Sequence, residues 1–145
     1  MYGRGTLMRM GVWFLKLAAL YFLIGVSMGL VMEMMEDHSL AGAHAHINLL
    51  GWVSMGLFGF IYILFPKASQ TLLAKLHFWL YNVSFPLFML GLSFFLAGNT
   101  SLTILLMIFP NLLVLSVILF VMNMFLNLKA EDVTHLLRKN ENTSL

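Results

Sequence analysis

The sequence predicts an all-α fold: a bundle of four transmembrane helices with both termini on the cytoplasmic side. Three observations predict it. Apolar side chains make up 61% of the 145 residues and charged ones only 10%, against roughly 45–50% and 25% in soluble domains. Four apolar stretches each reach the ~20 residues that a helix needs to cross a bilayer. The eight Lys and Arg residues avoid every second connection. This balance excludes a soluble globule and a disordered tail. A net charge of +2 on so few basic residues is too small for a surface that tracks nucleic-acid phosphates. With no cysteine in the chain, disulfide frameworks, thiolate catalysis, iron–sulfur clusters and thiolate zinc sites are excluded as well.

The first span is expected over residues 10–32, with Lys16 near its start. It is longer than the 7–15 apolar residues of a signal core, so it reads as a retained helix rather than a cleaved leader. The second runs over 43–65 and ends at Pro66. The third covers 76–97 and is stopped by Gly98-Asn99. The fourth covers 102–128 and is followed by a polar tail, 129–145, able to frame a short surface helix around His135. Short connections make neighbouring spans antiparallel and leave room for one domain, 1–145.

Orientation follows from charge. Arg4, Arg9 and Lys16 flank the first span, Lys67 and Lys75 fall in the second connection, and Lys129, Arg138 and Lys139 follow the fourth span. The first connection, with Glu33, Glu36 and Asp37, and the third, 98–101, carry neither Lys nor Arg. The positive-inside rule then puts the basic side in the cytoplasm. No Asp or Glu lies within a span, so there is no evident carboxylate relay of the kind that moves protons through membranes.

Polar groups at membrane depth point to function. His44 and His46 open the second span in Ala43-His44-Ala45-His46-Ile47-Asn48. Two positions along a helix mean a rotation of about 200° and a rise of about 3 Å. The imidazoles therefore face nearly opposite ways and cannot chelate one ion between them. Gly42, Ala43 and Ala45 leave space beside each ring, and Asn48, one turn after His44, is placed to hydrogen-bond it. His38 reads as a solvated residue of the acidic loop. His77, in Lys75-Leu76-His77-Phe78-Trp79, reads first as part of an interface anchor. Gly25-x-x-x-Gly29, Gly51, Gly56, Gly59 and Gly91 suggest close helix packing. Met residues read mainly as core filler, with Met28 and Met55 conceivable as axial ligands. Pro86 and Pro110 are expected to kink their helices, with Asn82, Ser84 and Asn111 placed to satisfy the freed backbone groups.

One longer pattern carries a resemblance. His44-Ala-His46, an apolar span, Phe65-Pro66, a short polar loop and Leu73-Ala-Lys75-Leu-His77-Phe78 resemble subunit I of the heme–copper oxidases, where an H-x-H pair opens the tenth of twelve helices and a similar F-P, loop and L-A-K-I-H-F follow. Phe85-Pro86 and Leu90-Gly91-Leu92-Ser93 resemble that family's next helix, so the likeness covers about residues 38–95. In the family the first histidine of the pair ligates the high-spin heme and the second the low-spin heme. The resemblance thus implies that His44 and His46 are heme iron ligands, with Asn48 beside them and heme b as the cofactor. The family's copper site needs three further histidines and a tyrosine. No His-His pair occurs in this chain and only His38 lies in the corresponding loop, so the resemblance does not imply dioxygen reduction by this chain alone. Subunit I is a pseudo-threefold array of four-helix arcs, and this chain is similar to one arc. A homotrimer with hemes between protomers is the implied assembly. The function expected is a membrane b-type cytochrome of a bacterial cytoplasmic membrane, passing electrons to or from a redox partner or sensing a diatomic gas. The alternatives are a heme-free accessory subunit of a respiratory complex and, behind it, a transporter.

Overall fold

The computed structural model describes residues 4–129. Helix α1 spans Arg4–Met34. The second crossing is built from α2 (Ala41–His46), a π-helical segment (Ile47–Ser54) and α3 (Met55–Leu64). A one-turn helix, α4 (Pro66–Ser69), leads into α5 (Leu72–Leu96), and α6 (Thr103–Asn127) closes the bundle. Among the described residues there is no strand. Four helices are long and apolar enough to cross a membrane: Met10–Met34, Ala41–Leu64, Leu72–Leu96 and Thr103–Asn127. By that measure the chain is an integral membrane protein in contact with lipid. The tail beyond residue 129, with His135 and the surface helix expected there, lies outside the described residues.

Most of the apolar surface of every span points outward; at most a third of each is buried. This is how a bilayer protein departs from a soluble bundle, where one stripe alone is apolar. A groove of about 540 Å³ between α5 and α6, lined by Leu76, Trp79, Leu80, Val83, Leu115 and Leu119, adds to that lipid-facing surface. The interior is a seam of large rings and small contacts. Phe14 and Ala18 come from α1, Met55, Phe58 and Tyr62 from α3, Tyr81, Phe85 and Met89 from α5, and Leu113 from α6. Helix α1 lies along the second crossing, and α5 lies along α6. Helices α1 and α3 approach closely at a facing pair of glycines. A Cβ on Gly11 would sit 2.9 Å from the Gly59 carbonyl oxygen, and one on Gly59 would sit 2.9 Å from that of Gly11.

Two spans end in the same way. After α1 the Asp37 amide donates to the Met32 carbonyl and the Glu36 amide to that of Glu33; after α5 the Asn99 amide donates to Phe94 and the Gly98 amide to Phe95. This is the Schellman closure, which places its pivot residue in the left-handed region. Gly98 fills that position at φ +82°, as its place after the third span suggests, whereas Glu36 fills the other at φ +53°.

Three expectations need correction. The third span starts at Leu72 rather than near residue 76, because Thr71 caps it: its hydroxyl accepts the Ala74 amide at 3.1 Å. The second span is not a uniform α-helix but contains eight π-helical residues. The asparagines near the prolines do not satisfy the carbonyls that proline frees. Proline at position i leaves the carbonyl of i−4 without its donor, here Asn82 and Leu106, yet Asn82 Nδ2 donates to Phe78 at 2.7 Å and Asn111 Nδ2 to Met107 at 2.7 Å. Each side chain reaches back one turn from its own position, to a carbonyl four residues before the gap in α5 and to the one just after it in α6. Ser84 Oγ is buried and makes no hydrogen bond among the described residues.

Candidate functional site

The π segment and α5 between them position two distinct histidine environments. At one end of the bundle, α2 carries the predicted pair. His44 is half-buried and turned toward α1, where its Nδ1 donates to the Gly25 carbonyl at 3.0 Å. His46 is exposed and turned toward α5, its ring edge-to-face with Phe88 at a centroid distance of 5.6 Å. Its Nδ1 donates to the Gly42 carbonyl, one turn earlier, at 2.7 Å. The two rings therefore diverge onto different neighbouring helices, as their spacing requires.

Both imidazoles spend Nδ1–H on a backbone carbonyl, which leaves each Nε2 as the lone-pair nitrogen when the ring is neutral. Asn48 joins His44 as anticipated, though its firmest bond is to the backbone: Nδ2 donates to the His44 carbonyl at 2.9 Å and lies 3.5 Å from each ring nitrogen. Gly25 and Gly29 do not bring two backbones together here. They receive side chains: a Cβ on Gly25 would fall 2.6 Å from the Asn48 amide, and one on Gly29 would fall 2.8 Å from His44 Cε1. The glycines are the reason His44 and Asn48 can lie flat against α1.

The acidic loop beside the pair is solvent-facing. His38 approaches Glu33 at 3.6 Å with both side chains well exposed. The Ser39 amide donates to Asp37 at 2.9 Å, and this bond holds the Asp37 carboxyl below its ordinary range. Among the described residues no three His, Asp or Glu converge as a metal site would require. Met55 is wholly buried in the core seam and Met28 packs against it.

His77 occupies the other environment, and the anchor reading fails for it. Trp79 is 68% exposed while His77 is 0% exposed. The cluster is split because positions two apart on α5 lie about 200° apart around the helix axis, one facing lipid and one the core. Five rings surround His77: Phe58 at 4.7 Å, Phe120 at 5.2 Å, Phe14 at 5.3 Å, Tyr81 at 5.7 Å and Tyr62 at 5.8 Å. Tyr62 Oη and His77 Nδ1 share a hydrogen bond of 2.9 Å, and Nε2 has no partner among the described residues. Beneath this cage, Asn123 ties α6 to the α4 turn: its Nδ2 donates to the Ala68 carbonyl at 2.9 Å and its Oδ1 accepts from the Thr71 hydroxyl at 2.7 Å. The sequence offers no signal for the Tyr62–His77 contact, since the two residues stand 15 apart on different spans whose mostly apolar faces do not show which one looks inward.

No family model matches this chain, and no curated protein or solved structure matches it either.

Proposed function

We propose that this protein is a membrane heme-binding protein of the b-type cytochrome kind, with His44 and His46 as the iron ligands. The observation that carries the reading is the shared arrangement of the two imidazoles. Metal-bound histidine almost always donates its other ring N–H to a carboxylate, a backbone carbonyl or water, which fixes the tautomer and strengthens the ligating nitrogen. Both rings have that partner in place, Gly25 for His44 and Gly42 for His46. Imidazole is also a suitable donor for iron.

The fit differs between the two. His46 is exposed beside Phe88, between the small residues Gly42 and Ala45. His44 offers Nε2 from a half-buried ring that leans on Gly29. Among the described residues of one protomer neither meets a second histidine: His77 belongs to the opposite half of the bundle, and His38 pairs with Glu33. Ligands from two copies therefore suit the site best, His44 of one protomer with His46 of the next. That arrangement closes into a ring of identical interfaces, of which a trimer with three hemes b is the form proposed. A bound heme supplies one-electron redox chemistry, and two histidines per iron favour electron transfer over gas binding because no position stays open.

A dithionite-reduced minus oxidised absorption spectrum tests the reading. After expression with ample heme supply, the wild type shows the sharp bands of a low-spin b-type cytochrome, and His44→Ala and His46→Ala each lose them. A colourless wild type overturns the proposal. A monomeric protein with six-coordinate iron removes the trimer alone.

A further inference from the structure

The eight residues after the histidine pair are where their aim is set. Backbone angles are helical at the joints, with His46 at φ −66°, ψ −40° and Met55 at φ −65°, ψ −36°. α2 is therefore continuous with the π segment and turns with it. Within a helix, each residue taken up or released shifts everything beyond it by about 100° around the axis and about 1.5 Å along it. The pairing register of residues 47–54 thus decides which neighbours His44 and His46 face. π turns mostly occur as single-turn bulges and often adjoin functional sites; a run of eight residues needs something to hold it.

Contacts from α1 and α5 do so. Tyr81 of α5 is 0% exposed, and its hydroxyl donates to the Leu50 carbonyl at 3.0 Å. The next residue, Gly51, lies between α1 and α5 so closely that a Cβ would be 2.9 Å from both Tyr21 Cβ and Phe85 Cε1. From within, Ser54 Oγ donates to the Leu49 carbonyl at 2.9 Å. The Tyr81 hydroxyl stands out because it spends a buried donor on one particular carbonyl of the segment, two positions beyond Asn48.

We propose that Tyr81 is a positioning residue for the histidine pair: by holding the Leu50 carbonyl above the Gly51 contact, it fixes the register that turns His44 onto α1 and His46 toward α5. That the pair ligates iron rests on the function proposed above; the register itself does not. The two imidazole bonds make the claim measurable without heme. His44 bonds across to α1 and depends on the rotation of α2, whereas His46 bonds within α2 and travels with it.

The experiment is histidine-selective ¹⁵N NMR of the full-length apoprotein in detergent, comparing wild type with Tyr81→Phe, which keeps the ring and removes the hydroxyl. The expected result is loss of the protected His44 Nδ1–H signal, with at least tenfold faster exchange, while the His46 Nδ1–H signal is kept. Retention of both signals overturns the proposal. Loss of both also overturns it, since that marks general loosening. Deleting Val53, an exposed residue of the segment, is the second variant: it relaxes the register with Tyr81 intact and is expected to give the same selective loss, and an unmoved His44 signal there counts against the idea. With heme bound, Tyr81→Phe should shift the low-spin electron paramagnetic resonance g-values at unchanged heme-to-protein ratio. If the wild type takes up no heme, the proposed function fails while the NMR result still decides the register.

Discussion

The two histidine environments are opposites in construction. Around His46 the bundle is open: the ring is exposed, its partner is a carbonyl of its own helix, and Phe88 alone packs an aromatic ring on it among the described residues. Around His77 the bundle is closed: five rings enclose it, and among the described residues its side chain bonds only to a buried tyrosine. A histidine at membrane depth is thus not one kind of signal. The first is exposed, and it is there that the proposed reading puts a ligand. The second has a nitrogen sealed among aromatic edges, where it serves to order the packing of α1, α3, α5 and α6.

The contrast predicts unequal tolerance. In the closed half, Gly59→Leu drives a side chain into the Gly11 carbonyl and Leu15 and should cost about 3 kcal/mol, at the upper end of overpacking penalties. In the open half, Gly42→Ala meets only the end of the Leu96 side chain at 3.4 Å and should leave stability unchanged. Thermal unfolding in detergent reads both, and equal losses would break the distinction. A finer test sits inside the cage. His77→Phe takes the imidazole from the Tyr62 hydroxyl and leaves it the Asn123 side chain, and a lost hydrogen bond costs about 1 kcal/mol. Adding Tyr62→Phe should recover most of that loss, because removing both partners of a buried bond is close to neutral. A double-mutant cycle with no recovery would mean that His77 is held by packing alone. A small gain rather than a loss is expected in the connections. Glu36→Gly relieves a left-handed residue where Gly98 already serves the matching turn, and should raise stability by about 0.5–1 kcal/mol.

Much of this architecture is legible in the sequence for a plain reason. Bilayer thickness fixes how long an apolar run must be, so the four crossings and their short connections can be read directly. Gly98 marks its turn, and the two-residue spacing of His44 and His46 already requires that they diverge. Asn48 was placed beside His44 by the same helical arithmetic. The side chains that define the closed half resist such reading. When a helix is apolar all round, periodicity no longer says which face turns inward. His77 and Trp79 stand two residues apart in one cluster, and only packing sends one into the core and the other to the membrane. Gly25 and Gly29 look like a backbone contact motif, yet they accept Asn48 and His44.

The sequence by itself determined the class of molecule, the number of crossings and the divergence of the histidine pair, because each follows from the length and rotation of a regular helix. Tertiary structure alone decided the π-helical register behind that pair, the burial of His77 against Tyr62, and the left-handed Glu36. These depend on contacts between residues far apart in the chain, such as Tyr81 with Leu50, or on how a span must close before the next begins, and no local pattern of residues encodes them.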